Sequence, residues 1–383
     1  MTVVLHISVV HPHDDERIFG RECRALANVG YDVSYLAPDE KPFAEIDGVR
    51  LLPLPRRGRT TRWLDYREIV AEVRRLRPHV VHVHDPELLT LLPRLRRAVP
   101  RLVYDMHEYV PQQVAAKPYI PARLRPAAAR AVDVAQRSLA RWTDAVVTVT
   151  EAQFDALGAK PALRLALPNY PRAARFAGVE PVAELAADPR LKLIYIGSLS
   201  RTRGCLLMLD VMKRLEPGEA VLYLGGVFAS EEFEAEVATR VDVGLADRVV
   251  LLGRIPQPEL PRYLAAADVV WSPSLAGPQY DLPTVDTKIF EGMASRLAVL
   301  ATDLPGRGEI VRLEECGLAV SSGIDGHLTG VRRLLANRRE VGAMGERGRA
   351  AVRERYSWEV AQRHLVDFYA RLCKGLPRGT SAR

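Results

Sequence analysis

Asp286, Lys288 and Glu291 open a segment, TVDTKIFEGMASRLAVLATD (residues 284–303), whose second half is apolar. Ile289, Phe290, Met293 and Ala294 recur at helical spacing, and the residues from Ala298 to Thr302 then read as a short buried strand. Lys288 and Glu291 share one helix face near its start. Unpaired N–H groups and the positive dipole end make that start a seat for phosphate. This predicts a nucleotide held by Asp286, Thr287, Lys288 and Glu291, with Glu291 on a ribose diol; a solvated ion pair on an ordinary helix is the alternative. A second stretch, GSLSRTRGC (197–205), follows a strand-like run and sets Gly197, Ser198, Arg201 and Arg203 in a turn before an apolar helix. Strand, basic loop and helix start form an anion cradle, without the spacing of a P-loop or of G-x-G-x-x-G. A turn at Gly253, Arg254 and Ile255 could lay its backbone against a flat base.

The other chemistry-bearing group is histidine. Of nine, seven fall within the first 107 residues: His6, His11, His13, His79, His82, His84 and His107. His11 to Asp15, His82 to Asp85 and Asp105 to Glu108 each end a strand-like run, so they are neighbours on one sheet edge. His-x-His on a strand puts both rings on one face, as a metal site would. No cysteine contributes and the chain has no D-x-D pair. The expectation is therefore no metal and a polar, titratable wall to a ligand cleft; His6 and His79 read as core or surface histidines.

Positioning these groups requires parallel sheets. Strand-like runs VVLHISVV, DVSYLAP, VVHVH, RLVYDMH and AVVTVT alternate with helical stretches at 17–29 and 62–76, and after a proline-rich interval LKLIYIGS, AVLYLGG, VVLLGR, VVWSPS, LAVLATD and GLAVSS repeat the pattern. Such alternation means parallel strands with crossover helices. The predicted organisation is α/β: residues 1–168 as one Rossmann-like domain, 169–190 as a linker, 191–356 as a second, and 357–383 crossing back to the first. Ligands of such sheets bind at the strands' carboxyl ends, which puts the site in a central cleft faced by both domains. The 383 residues suit two domains, and 48% hydrophobic with 26% charged is a globular profile. No apolar run approaches the roughly 20 residues of a bilayer span, MTVVLHISVV reads as a first strand, and the four cysteines show no paired spacing. A cytoplasmic location is expected. The net charge of +7 is mostly arginine, clustered at Arg56 to Arg62 and across 123–141 (Arg123, Arg125, Arg130, Arg137, Arg141). Without a nucleic-acid signature, nucleic acid is excluded; contact with an anionic membrane stays open beside a solvated helix.

The segments GSLSRTRG, LLGRIPQPELPRYLAAADVVWSPS and KIFEGMASRLAVLATD together resemble the donor-nucleotide domain of the GT-B glycosyltransferases, specifically retaining glycosyltransferase family 4, and HPHDDERIFGRECRALANVGYDVSYLAP resembles the N-terminal domain of one branch. The resemblance spans nearly the whole chain. It implies that Arg203 and Lys288 hold the diphosphate and that Glu291, the second glutamate of the family's E-x7-E, holds the ribose. It also implies that His107 sits beside the donor sugar. His13, Asp14, Arg17, His84 and Glu108, at or near the strand ends, are candidates for the acceptor side, whose residues carry no motif. Pro283 replaces the first glutamate, Ser198 the frequent arginine of the first loop, and His13-Asp14-Asp15 the usual glycine pair. The implied activity is retaining, metal-independent transfer from a nucleoside-diphosphate sugar, UDP-sugar favoured, to an acceptor hydroxyl in polysaccharide, glycolipid or natural-product synthesis. A nucleotide-sugar epimerase, a metal-dependent hydrolase or a non-catalytic nucleotide-sugar binder are the alternatives.

Overall fold

The computed structural model describes residues 1–40, 43–117, 120–158, 161–277 and 282–376. Its first unit comprises Met1–Asn169 with Ala361–Arg383, its second Tyr170–Val360.

In the first unit eight strands, β1 (Val3–Ile7), β2 (Asp32–Pro38), β3 (Ala44–Ile46), β4 (Val49–Leu54), β5 (Val80–Val83), β6 (Arg101–Met106), β7 (Ala145–Thr148) and β8 (Leu163–Ala166), form one sheet in the order β3-β4-β2-β1-β5-β6-β7-β8. All pairings are parallel except β3 with β4. The near-continuous apolar runs of β1, β5, β6 and β7 suit strands covered on both faces. β3, β4 and β8 went unforeseen: β3 has three residues, β4 carries Pro53, and both outermost strands need only one covered face. The last helix, Trp358–Leu372, buries Leu365 and Tyr369 fully, and Arg101 Nε donates to the Leu372 carbonyl at 3.1 Å, within this unit. Residues 377–383 of the expected return segment lie outside the described residues.

The second unit has six parallel strands, β9 (Leu191–Ile196), β10 (Ala220–Gly225), β11 (Val249–Gly253), β12 (Val269–Ser272), β13 (Ala298–Thr302) and β14 (Gly317–Val320), in the order β11-β10-β9-β12-β13-β14. Alternate residues feed two cores: Leu193, Leu222 and Leu300 on one face, Ile194, Val221 and Val299 on the other. The stretch expected as a linker packs on this unit. Phe176 and Leu185 join its core, and Tyr170 meets Phe290 edge-on at 4.8 Å, because these apolar side chains gain more from burial than a free tether would keep in entropy. Among the parallel strands of each sheet the order reverses once, between β1 and β5 and between β9 and β12. These switch points are where ligands of open α/β sheets bind.

Candidate active site

The helix Thr287–Ala294 begins beside the second switch point. Its N-cap, Asp286, gives the first turn no side-chain hydrogen bond. The carboxylate is instead taken by Arg307, whose Nε and Nη2 donate at 3.0 and 2.8 Å, by Ser272 Oγ at 2.9 Å and by Arg203 Nη1 at 3.4 Å. Burial pushes this carboxyl up, but the Arg307 hydrogen bonds and the charges of Lys288, Arg307 and Arg203 hold it well below the usual range. With its cap spent elsewhere, the helix start keeps N–H groups for a ligand.

Lys288 lies next to this pair. Burial lowers its pKa to about 8; Asp286 and Glu291 push it back up, whereas Arg203 and Arg307 press it down. Its Nζ sits 4.4 Å over the Tyr195 ring and 3.4 Å from the Tyr195 hydroxyl, which donates to the Ser198 carbonyl at 2.7 Å. Gly197 (φ +150°) would carry a Cβ 3.5 Å from Lys288 Cε. Three arginine and lysine cations around one buried carboxylate leave a net positive site suited to a diphosphate. Arg203 is about one-third exposed, Glu291 and Thr287 are half-buried, and Ser198 and Arg254 are exposed. The Gly253–Ile255 turn reaches this group through Gly225 and Gly226: a Cβ on Gly225 would fall 2.6 Å from Ile255 Cδ1, and one on Gly226 (φ +138°) 1.7 Å from the Gly197 carbonyl oxygen. Only glycine permits that approach. Every donor-side residue read from the sequence therefore lies on one edge. Sequence reasoning missed Arg307, Ser272, Tyr195 and Gly226. The signals were PGRGE after the apolar run LAVLATD, which repeats the grammar of the Arg203 loop, and the glycine pair closing AVLYLGG.

In the first unit the edge at β1, β5 and β6 gathers Asp85, Asp105 and the histidines. Ser8 Oγ and Val9 N donate to Asp85 at 2.8 and 2.6 Å, tying the β1 loop to β5. The helix expected over 17–29 opens as a π-helical turn, Ile18–Cys23, before Arg24–Asn28 continues as α-helix. Asp15 accepts from Arg17 N and Ile18 N at 2.9 and 2.8 Å and so fixes the entry. In a π-turn, residues five apart are stacked, which brings the Arg17 guanidinium within 3.2 Å of the Glu22 carboxylate.

Arg17 does not face a ligand as expected. It is buried, donates to both Asp105 oxygens at 3.0 Å and reaches the Leu167 carbonyl and Asn169 at 2.8 Å, so it positions Asp105. His13 also turns inward, its Nε2 on the Leu52 carbonyl at 2.9 Å and its Nδ1 3.2 Å from Asp39. His84 is buried behind His107, and burial lowers it to about 4 despite Asp105. Asp14 and Glu108 are exposed and His107 half-buried, with Nε2 3.2 Å from Asp105 Oδ2. Burial raises Asp105, yet Arg17 and His107 hold it well below the usual carboxylate range. The anion can thus fix the His107 ring with its Nε2–H inward. His79 accepts from Val3 N at 3.0 Å, while His6 lies in the core.

Residues 16–169 match the glycosyl transferase 4-like domain and residues 190–337 the domain described as glycosyl transferases group 1, together well over half of the chain. The chain is 30% identical to the GDP-mannose-dependent alpha-(1-6)-phosphatidylinositol monomannoside mannosyltransferase of Mycobacterium tuberculosis over 42% of its own length, and spans 41% of that relative. It is 24% identical to the phosphatidyl-myo-inositol mannosyltransferase of Mycobacterium leprae, over 92% of this chain and 89% of that one. Among solved structures, sucrose-phosphate synthase from Thermosynechococcus elongatus superposes with a TM-score of 0.77 at 19% identity, covering 97% of this chain and 99% of that one. HepE of Anabaena in complex with UDP superposes with a TM-score of 0.74 at 14% identity, covering 97% and 100%. With two parallel-sheet units of the GT-B fold and a domain match in each, the chain belongs to the group 1 glycosyl transferases of glycosyltransferase family 4.

Proposed function

We propose that the protein transfers a hexosyl group from a nucleoside-diphosphate sugar to an acceptor hydroxyl, with retention and with no metal on the diphosphate. The carrying observation is the net positive cradle of Lys288, Arg203 and Arg307 around Asp286 at the start of the helix Thr287–Ala294. Fixed cations aimed at the leaving diphosphate stabilise charge that grows in the transition state, and they supply what a divalent ion would otherwise provide. Glu291 holds the ribose, the Gly253–Ile255 turn the base, and His107, oriented by Asp105, the donor sugar. The acceptor hydroxyl attacks from the face the diphosphate leaves, and its proton passes to the leaving phosphate oxygen.

A UDP-sugar is the favoured donor, supported by the UDP and UDP-glucose held by HepE; the mycobacterial relative is described as GDP-mannose-dependent. The names of the mycobacterial relatives, which act on phosphatidylinositol derivatives, support a lipid acceptor at an anionic surface. Mass spectrometry of products from a panel of UDP-, GDP- and dTDP-sugars tests the reading. Transfer to an added or co-purified acceptor supports it. Conversion of donor alone into an isomer indicates an epimerase, and donor binding without turnover indicates a sensor.

A further inference from the structure

Behind His107, four side chains that the transfer reaction does not use converge in the core of the first unit. His6 (β1), Glu22 (the π-turn) and His82 (β5) are completely buried and His84, just past β5, is 2% exposed. One nitrogen from each ring and one Glu22 oxygen lie within 4.8 Å of one another. We propose that His6, Glu22, His82 and His84 form a structural metal site, with Zn²⁺ as the ion its donors fit.

One set of tautomers turns the lone pairs toward a shared point. His84 Nδ1 lies 3.2 Å from His107 Nε2 and 3.4 Å from Asp105 Oδ2; with its proton on Nδ1 and directed at the carboxylate, Nε2 carries the lone pair. His82 Nδ1 is 2.8 Å from the Tyr369 hydroxyl, and His82 Nε2, fully buried, has no hydrogen-bond partner. His6 Nδ1 sits 2.9 Å from His84 Nε2, and its Nε2 is 3.4 Å from the same Tyr369 hydroxyl. Moving the His6 proton from Nδ1 to Nε2, where Tyr369 accepts it, turns three imidazole lone pairs inward. An outer N–H held by a carboxylate or hydroxyl oxygen is how ligating histidines are usually oriented.

Glu22 completes the set. No donor is aligned on either of its oxygens, although both are buried. Its charged neighbours are Arg17 at 3.2 Å and the Asp105 carboxylate, and Arg17 is already spent on Asp105. Two buried carboxylates share one guanidinium, and burial together with Asp105 pushes the Glu22 carboxyl well above its usual range; a divalent ion here would take the place of that proton. Three imidazoles and one carboxylate suit divalent first-row metals, and four ligands with no open position fit the tetrahedral preference of Zn²⁺. Tetrahedral bonds of about 2.0–2.1 Å need ligand atoms roughly 3.4 Å apart; the ligand atoms here lie within 4.8 Å of one another, so the ion would have to draw them together. With every ligand buried, the site has no open position, as structural rather than catalytic zinc requires. The ion would clamp β1, the π-turn and β5 together and fix Asp105, hence His107, through His84. The cradle in the second unit is a separate place and needs no ion.

The test uses the full chain with any affinity tag removed. Zinc content by plasma mass spectrometry should approach one equivalent. Chelator-stripped protein should take up one equivalent of Zn²⁺ in competition with a chromogenic chelator, and one of Co²⁺ with the visible absorption of a tetrahedral centre. His82→Ala and Glu22→Gln should each weaken uptake by more than about 100-fold and Tyr369→Phe by roughly 10-fold, while His79→Ala leaves it unchanged. Far-UV circular dichroism and UDP calorimetry verify folding independently. Less than about a tenth of an equivalent in both isolated and reconstituted protein, or uptake that Glu22→Gln leaves intact and His107→Ala abolishes, would overturn the assignment.

Discussion

At the scale of single residues, Lys288 and Glu291 should separate binding from turnover. In the proposed reaction the ribose contact of Glu291 is the same in ground and transition states, whereas leaving-group charge grows during transfer. Glu291→Ala should weaken nucleotide binding by roughly 10-fold, and Lys288→Ala should mainly lower kcat, by about 100-fold or more. Calorimetry beside steady-state kinetics measures both, and equal sub-twofold effects contradict the roles. Lys288 also sets a pH dependence. Burial holds it near 8, so its ammonium is lost as pH rises through that value. A diphosphate prefers the protonated form, so affinity is full below about pH 8 and declines above it. In Lys288→Met the decline between about pH 7.5 and 9.5 should vanish. Arg307 is 1% exposed and its bidentate pair with Asp286 is buried. Arg307→Met should therefore cost about 3–5 kcal/mol in urea unfolding.

At the scale of elements, the helix Thr287–Ala294 is aimed by its packing on β12. A Cβ on Gly292 would fall 2.3 Å from Val270 Cγ1, so the helix lies closer to the strand than any larger residue permits. Gly292→Ala should destabilise the protein by about 1–3 kcal/mol by overpacking. Adding Val270→Ala should recover most of that loss in the same urea series; a purely additive double variant would show that the glycine has another role. The helix and its following strand were legible because apolar period and length identify both elements. The π-turn at Ile18–Cys23 was not, since its hydrophobic pattern is that of an α-helix and the widening is set by Asp15, whose backbone carbonyl accepts from Gly20 N at 3.0 Å.

At the scale of the whole molecule, no helix among the described residues is long and apolar enough to cross a membrane. The helix Arg125–Ala140 and its flanks leave Leu124, Val134 and Trp142 exposed at 58, 51 and 45%. Arg123, Arg130 and Arg141 are exposed beside them, Arg130 also 3.5 Å from Asp133 Oδ2, whereas Arg137 is drawn to Asp133 at 2.6 Å and Arg125 to the Ile120 carbonyl at 2.8 Å. We expect binding to phosphatidylglycerol vesicles that falls steeply from low to physiological salt, at about 1 kcal/mol per basic residue. Flotation measures it, and Arg123→Glu with Arg130→Glu should abolish it. Absence of flotation at low salt would favour a soluble acceptor.

The sequence by itself determined the two α/β units, the six strands of the second sheet, and the strand-end positions of Arg203, Lys288, Glu291 and His107. Apolar period, turn residues and motif spacing are local quantities, and each of these features is a local consequence. Tertiary structure alone decided what the charges do to one another. Arg307 lies 21 residues from the Asp286 it captures, Arg17 lies 88 from Asp105, and Tyr369 lies 287 from His82. None of these pairs has a spacing that a strand or helix would make recur. Burial then gives them their force: in a dry core a guanidinium goes to the nearest carboxylate rather than to a ligand. For that reason Arg17 and His13, read as ligand-facing, became supports, while Asp286 gave up its helix to hold two arginines.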